Sequence, residues 1–404
     1  MEQKELMGSL KVSKAVAKMA IPSVISSLVT VVYNMADTFF VGQTNDPLQV
    51  AAVSLTNPIF ILFMAFANMF GMGGSAVASM AMGEKKEERA KNASAFVAYA
   101  SFFVGIVFAV SLLLFMRPLL TLFGADAQTY ALARGYTLHI SYGAPFIIWS
   151  AAASFVVRAD GASREAMIGS MIGTIANIVL DPVFISGFGM GAAGAAIATT
   201  IGNILACLYY LWYFMKKSRC LSIAPKDFKC GDGILTGVCA TGFPTAIFSV
   251  LMSVSTIILN QILVAYGNAP VAAIGIVFKA NMFITFLQLG LANGVQPLLG
   301  YNYGAGNRER FIAVDRFTKK CCLIIGILFV NMNCLQSTGN AFPATILSVL
   351  RQGLLLIPVL YLLNAVAGLN GVIYGQALTD YVAVILSVVI WNRKKRNSLN
   401  FPSR

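Results

Sequence analysis

Charge is what this 404-residue chain has least of. Asp, Glu, Lys and Arg together make up 11% of it, while 58% of the residues are hydrophobic. An ordinary soluble chain is about 25% charged, so the shortage excludes a soluble domain and implies an all-α polytopic membrane protein. Histidine is scarcer still, with His139 alone. A membrane-embedded enzyme built on His/Cys or metal chemistry therefore has little to work with. Long apolar–polar alternations are missing too, so the apolar stretches are helices and not barrel strands. No small-residue cleavage site follows the first stretch, which is expected to be a retained anchor.

Apolar stretches recur at 13–41, 55–82, 93–116, 135–157, 167–186, 194–215, 235–265, 274–299, 342–367 and 371–391. Each is long enough to cross a bilayer as a helix. The net charge of +13 gathers in short loops: Lys11, Lys14 and Lys18; Lys85, Lys86, Arg89 and Lys91; Lys216 to Lys229; Arg308 to Lys320; and Arg393 to Arg396. The alternate loops carry almost no Lys or Arg. That positive-inside pattern argues against a nucleic-acid partner and places both termini in the cytoplasm. The seven cysteines are expected to be unpaired, reduced thiols.

The chain repeats itself. Met19-Ala-Ile-Pro22 returns as Thr241-Gly-Phe-Pro244, and Gly73, Gly83 and Arg89 return as Gly294, Gly304 and Arg310, at offsets of 221–222. Farther on, Gly161 matches Gly339 and Gly194 matches Gly371, at 177–178. The second half is thus short by about 43 residues, lost between Lys320 and Gln336. One apolar stretch near Cys321 stands where the first half holds its third and fourth helices. A single crossing there would put Arg393–Arg396 outside, against the charge bias, so the expected loss is the middle of a helix pair. The expected cause is a deletion, a gene-model error or an unresolved segment closed up in the numbering. The expected organisation is a first lobe of six helices (1–215), a cytoplasmic linker (216–234), a second lobe (235–396) incomplete around 321–336, and a tail (397–404). Two parallel bundles around a cleft form a secondary-transporter plan.

A carboxylate at hydrocarbon depth costs roughly 2.5–3.5 kcal/mol on insertion scales, and usually works for its place. Asp37 is such a residue, with Tyr33 one helical turn before it. Asn177 and Asp181 are likewise four apart, and Thr199 follows in the next stretch. Pro182 frees the carbonyl of Ile178 beside Asp181. This oxygen-rich set suits a hard cation such as Na⁺. A desolvated carboxylate pair also suits a proton, because burial and like charge favour holding one. Purely structural roles remain for both acids: a helix-end cap for Asp181 and an interhelical bond for Asp37. Gln288, Gln296, Lys279 and Asp380 are candidates to line a substrate cleft. Lys279 either pairs with Asp380, faces the cleft or snorkels to the interface. Arg351 is expected near an interface, and His139 as a bonded packing residue.

Tyr33-Asn-Met-Ala-Asp37-Thr-Phe-Phe-Val-Gly42, Arg158-Ala-Asp-Gly161, Asn177-Ile-Val-Leu-Asp181-Pro-Val-Phe, Gly194-Ala-Ala-Ile-Ala-Thr199, Gln296-Pro-Leu-Leu-Gly-Tyr-Asn-Tyr-Gly-Ala305 and Gln336-Ser-Thr-Gly339 resemble MATE (multidrug and toxic compound extrusion) transporters, most of all the bacterial DinF-like branch. The resemblance covers nearly the whole chain. It implies two six-helix lobes, twelve helices in the parent plan, and alternating access. It further implies antiport of cationic or amphipathic small molecules against Na⁺ or H⁺, with no cofactor beyond the coupling ion. The family's first-lobe cation site maps to Asp37, Asn177, Asp181 and Thr199, with Tyr33 one turn away. A monomer in the bacterial inner membrane is expected. Alternatives are a flippase for lipids or lipid-linked sugars, which would need several basic residues in the cleft, and an inactive truncated remnant.

Overall fold

Lipid offers the backbone no partner, so every apolar stretch closes its own hydrogen bonds as a helix. The structure, a computed structural model, describes residues 3–43, 46–218, 220–266, 268–322 and 324–397, and among them there is no strand. A short α1 (Gln3–Gly8) precedes α2 (Val12–Gly42), α3 (Pro47–Gly83), α4 (Glu87–Leu114), α5 (Met116–Leu122), α6 (Tyr130–Ala159), α7 (Ser163–Pro182) and α8 (Gly191–Lys216). The second half holds α9 (Ile234–Val264), α10 (Asn268–Gly304), α11 (Arg308–Cys321), α12 (Ile324–Ser337), α13 (Ala341–Val349) and α14 (Leu356–Asn397). Nine helices among the described residues are long and apolar enough to cross a membrane. The last of these, Ala341–Lys394, doubles back at Gly368, whose φ of 56° is open to glycine. Beyond the turn the Gly371 backbone lies against the Leu363 carbonyl. The stretches expected at 342–367 and 371–391 are therefore the two arms of one hairpin.

The short region of the second half does not span once. Cys322 takes an extended conformation at the end of α11, breaking the stretch near Cys321 into two helices of 14 residues each. The Cys334 thiol donates to Asp315 Oδ1 at 3.3 Å, and α11 and α12 run antiparallel. The pair enters and leaves on one face. Asp315 Oδ2 accepts from Trp391 near the end of α14 (3.2 Å), and Arg310 Nε donates to the Met7 carbonyl near the start of the chain (3.0 Å). Both ends of the chain thus reach the same face, which also holds Lys229, paired with Glu88 at 2.8 Å, and the other basic loops. A half-depth hairpin keeps the parity that the charge bias requires.

The two halves cross-pack through their first helices. Ala15, Val16, Met19 and Ala20 of α2 are buried among Ala292, Val295, Leu298 and Leu299 of α10. Ile234 and Val238 of α9 are buried in the core built by α3, α4, α6 and α8. Val16 and Val238 are repeat mates at an offset of 222. Beyond Pro22 the picture changes: Val41, at the far end of α2, packs with Ile185 and Ala195 of the first half. Helix α2 therefore starts in one core and ends in the other.

Between the halves the helices approach backbone to backbone. A Cβ on Gly73 would meet the Val238 carbonyl, one on Gly242 the Met69 carbonyl, and one on Gly294 the Met19 carbonyl at 2.8 Å. Gly83 lies against the Tyr301 carbonyl, and its mate Gly304 against the Met80 carbonyl. Ser75 Oγ donates to Gln296 Oε1 at 3.0 Å, and Ser79 lies against Gly300. Ser75 and Gln296, like Ser79 and Gly300, are separated by the repeat offset of 221. A pseudo-two-fold axis thus passes between α3 and α10, and the seam is tight at the face carrying the basic loops. A Ser75→Cys/Gln296→Cys double variant should cross-link rapidly under mild oxidation. Adding Gly73→Val should suppress the cross-link and destabilise the protein by about 1–3 kcal/mol, the usual cost of overpacking. Cross-linking yield and thermal unfolding check both.

Candidate functional site

Four helices carry the first-lobe polar set. Gly173 of α7 and Gly202 of α8 let the two backbones touch, a Cβ on Gly202 meeting the Gly173 carbonyl at 2.5 Å. That close approach brings Asn177, one turn on from Gly173, to Thr199. The Asn177 amide suits its neighbours when its nitrogen donates to Asp181 Oδ2 (3.0 Å). Its oxygen then accepts from Thr199 Oγ1 (3.1 Å) and from the Thr199 backbone N–H (2.9 Å). Tyr33 of α2 reaches the same hydroxyl, 3.4 Å from Thr199 Oγ1. Asn203 of α8 extends the network, accepting from Ser150 Oγ (2.8 Å) and donating to the Thr199 carbonyl (2.8 Å).

Asp181 is fully buried, and its Oδ1 has no hydrogen-bond partner among the described residues. A buried carboxylate oxygen left alone is costly. Asp37 is partly buried and lies within electrostatic reach of Asp181, Tyr33 and Tyr136. After Pro182 the helix widens into a π turn at Val183–Gly187, a form found often at functional sites. Two carboxylates, one of them with an orphaned oxygen, a hydroxyl and an amide form a donor set that fits a hard cation or a proton. Among the described residues no three His, Cys, Asp or Glu side chains gather as a metal cluster. Asp37, Asn177, Asp181, Thr199 and Tyr33, picked from the sequence, are thus brought together. Tyr136 and Asn203 were missed. Asn203 had a signal, lying four residues after Thr199 and so on its face; Tyr136 had none, since α6 carries no acid.

The second lobe fills the matching place with hydrocarbon. Leu259, the repeat mate of Asp37, is buried with Ile262, Leu263, Leu356, Leu360 and Val372. The candidates for a substrate cleft do not come together. Gln296 is sealed in the seam against Ser75. Gln288 is fully buried beside Gly326, with neither amide atom partnered among the described residues. The Lys279 side chain lies outside the described residues. Asp380 pairs with Arg351, Nε to Oδ1 at 2.8 Å. Arg351 is 4% exposed, so it is a core residue and not an interfacial one. Its guanidinium lies against the rings of Phe248 and Phe329, 5.5 and 5.1 Å from their centroids. His139 Nδ1 donates to the Gly135 carbonyl at 2.7 Å, as a packing residue would. No disulfide forms among the seven cysteines in the described residues.

The MatE family model matches this chain twice, over residues 22–183 and 244–332, together more than half of it. The two matches begin 222 residues apart, at Pro22 and Pro244, in the register of the repeat. The multidrug export protein MepA of Staphylococcus aureus (strain NCTC 8325 / PS 47) is 30% identical over 421 aligned positions, covering 94% of this chain and 93% of that protein. Since 94% of 404 residues is about 380, some 40 aligned positions hold no residue of this chain, which matches the missing stretch. Among solved structures, a MATE in complex with MaD3S superposes with a TM-score of 0.92 at 24% identity over 98% of both chains. An outward-facing conformation of a multidrug resistance MATE family transporter of the MOP superfamily gives 0.90, also at 24% identity over 98% of both chains.

Removing one partner of a buried ion pair strands the other charge. Asp380→Leu should therefore cost about 3–5 kcal/mol. Pairing it with Arg351→Met should recover most of the loss, as read by thermal unfolding in one detergent.

Proposed function

The chain belongs to the MatE family of multidrug efflux transporters, and from that membership we propose that it exports cationic or amphipathic small molecules by antiport against Na⁺ or H⁺. The observation that carries the proposal is the buried, half-partnered Asp181 beside Asp37, on helices joined by the Asn177–Thr199 network. A cation at that place would give Asp181 Oδ1 the partner it lacks, and a proton would neutralise the shared charge. Thr199 and Asn177 would orient the acids, and Tyr33 would tie α2 to α8. Asp37 lies on the segment of α2 beyond Pro22, the one element that starts in the second-half core and ends beside the site. Ion binding can therefore bias how α2 bends, and so which face of the cleft is open. Substrate would bind in the cleft between the lobes, away from the seam closed by Gly73, Gly83 and their mates. The proposed setting is the bacterial inner membrane, with the basic face and both termini in the cytoplasm.

Asp37→Asn and Asp181→Asn should each abolish drug resistance in a host lacking its own exporters, with membrane abundance unchanged. Full resistance in either variant would overturn the role of the site. Thr199→Val should weaken ion-dependent stabilisation by about 1–2 kcal/mol, roughly five- to thirty-fold in ion affinity. Proteoliposomes given a Na⁺ gradient alone, then a pH gradient alone, identify the coupling ion.

A further inference from the structure

The short hairpin leaves space in the second lobe that its counterpart does not have. Helix α4 runs 28 residues and α6 runs 30, where α11 and α12 run 14 each. Beside the hairpin, against the last turns of α14, lies a cavity of about 390 Å³. Its walls bring Asp315, Arg316, Lys319 and Lys320 of α11 together with Asn331 of α12 and Trp391 of α14.

These groups are unequally employed. Lys319 is spent: it pairs with Asp315 at 2.7 Å and lies over the Trp391 ring, 5.0 Å from its centroid. Arg316 and Lys320 are exposed and have no partner among the described residues. Four apart, they project from one side of α11 and repel each other. The wall therefore carries two uncompensated positive charges. Asn331 is fully buried; its nitrogen donates to Ser387 Oγ at 3.0 Å, whose own proton goes to the Val384 carbonyl. That fixes the amide orientation and leaves Asn331 Oδ1 as an acceptor with no donor among the described residues. Outward from the cavity, α14 presents Tyr381, Ile385 and Val389, all exposed.

We propose that this cavity binds the headgroup of an anionic phospholipid bearing a free hydroxyl, of the phosphatidylglycerol type, from the leaflet beside the basic loops. Arg316 and Lys320 would hold the phosphodiester, the headgroup hydroxyl would donate to Asn331 Oδ1, and the acyl chains would lie along the exposed face of α14. Basic pockets between helices are suited to such lipids. The inference rests on the bilayer-spanning reading, but on neither the drug nor the coupling ion.

The full chain, purified in detergent, is titrated with phosphatidylglycerol, with phosphatidylcholine and with inorganic phosphate, and adducts are counted by native mass spectrometry. Phosphatidylglycerol should bind in preference to phosphatidylcholine. Arg316→Gln/Lys320→Gln should lower its affinity about thirty-fold, the loss expected of two basic residues at a membrane surface. A control, Lys85→Gln/Lys226→Gln, removes two exposed charges elsewhere on the basic face and should change little. Equal loss in the control, equal binding of phosphatidylcholine, or displacement of the lipid by equimolar phosphate would each overturn the proposal. Lipid binding that persists where drug export is absent would count against the proposed function alone.

Discussion

Backbone contact between the two halves, α3 against α9 and α10 and α2 against α10, is the constraint on which the rest of the molecule hangs. Gly73, Gly83, Gly242, Gly294 and Gly304 each lie where a side chain would run into a carbonyl of the other half. Helices associating in lipid have no hydrophobic drive between them, so they depend on such close packing. The seam fixes where the lobes touch, and hence where a cleft between them is closed. It also sets Ser75 against Gln296, two copies of one ancestral position that have become a donor and an acceptor.

Within that frame the two lobes treat the position of the candidate site in opposite ways. In the second lobe aliphatic side chains fill its mirror image, and Arg351 Nε pairs with Asp380 against two phenylalanine rings. The first lobe leaves a vacancy in the hydrogen-bond ledger at Asp181 Oδ1, with Asp37 nearby. Unpaired buried carboxylate is a poor way to hold helices together. It is a good way to hold something that comes and goes.

Much of this was legible in the sequence, for identifiable reasons. Hydropathy located the crossings because a bilayer admits only one backbone solution. The repeat offset located the seam, and its change from 221 to 178 located the missing piece. Helical periodicity put Asn177 with Asp181 and Tyr33 with Asp37. Periodicity says nothing, however, about which helix a residue faces. Arg351 was expected near an interface, yet it is turned inward onto Asp380. Gln296 looked like a cleft residue because it is polar at depth, yet its partner was its own repeat mate. The half-depth hairpin was implied by the shortfall and by the charge parity together, but by neither alone.

The exchange of first helices bears on how the molecule is made. Synthesis delivers α2 long before α10, yet the opening turns of α2 are buried against Ala292, Val295 and Leu299. Until those residues exist, the side chains from Ala15 to Ala20 lack most of the core they are buried in. The first lobe likewise lacks Ile234 and Val238 from its core until α9 emerges. Neither half is a self-sufficient folding unit. A single half, expressed alone, would find a home for its first helix only in a second copy, as in a domain-swapped dimer. Duplication followed by fusion converts that intermolecular exchange into an intramolecular one, at the cost of making the nascent chain wait.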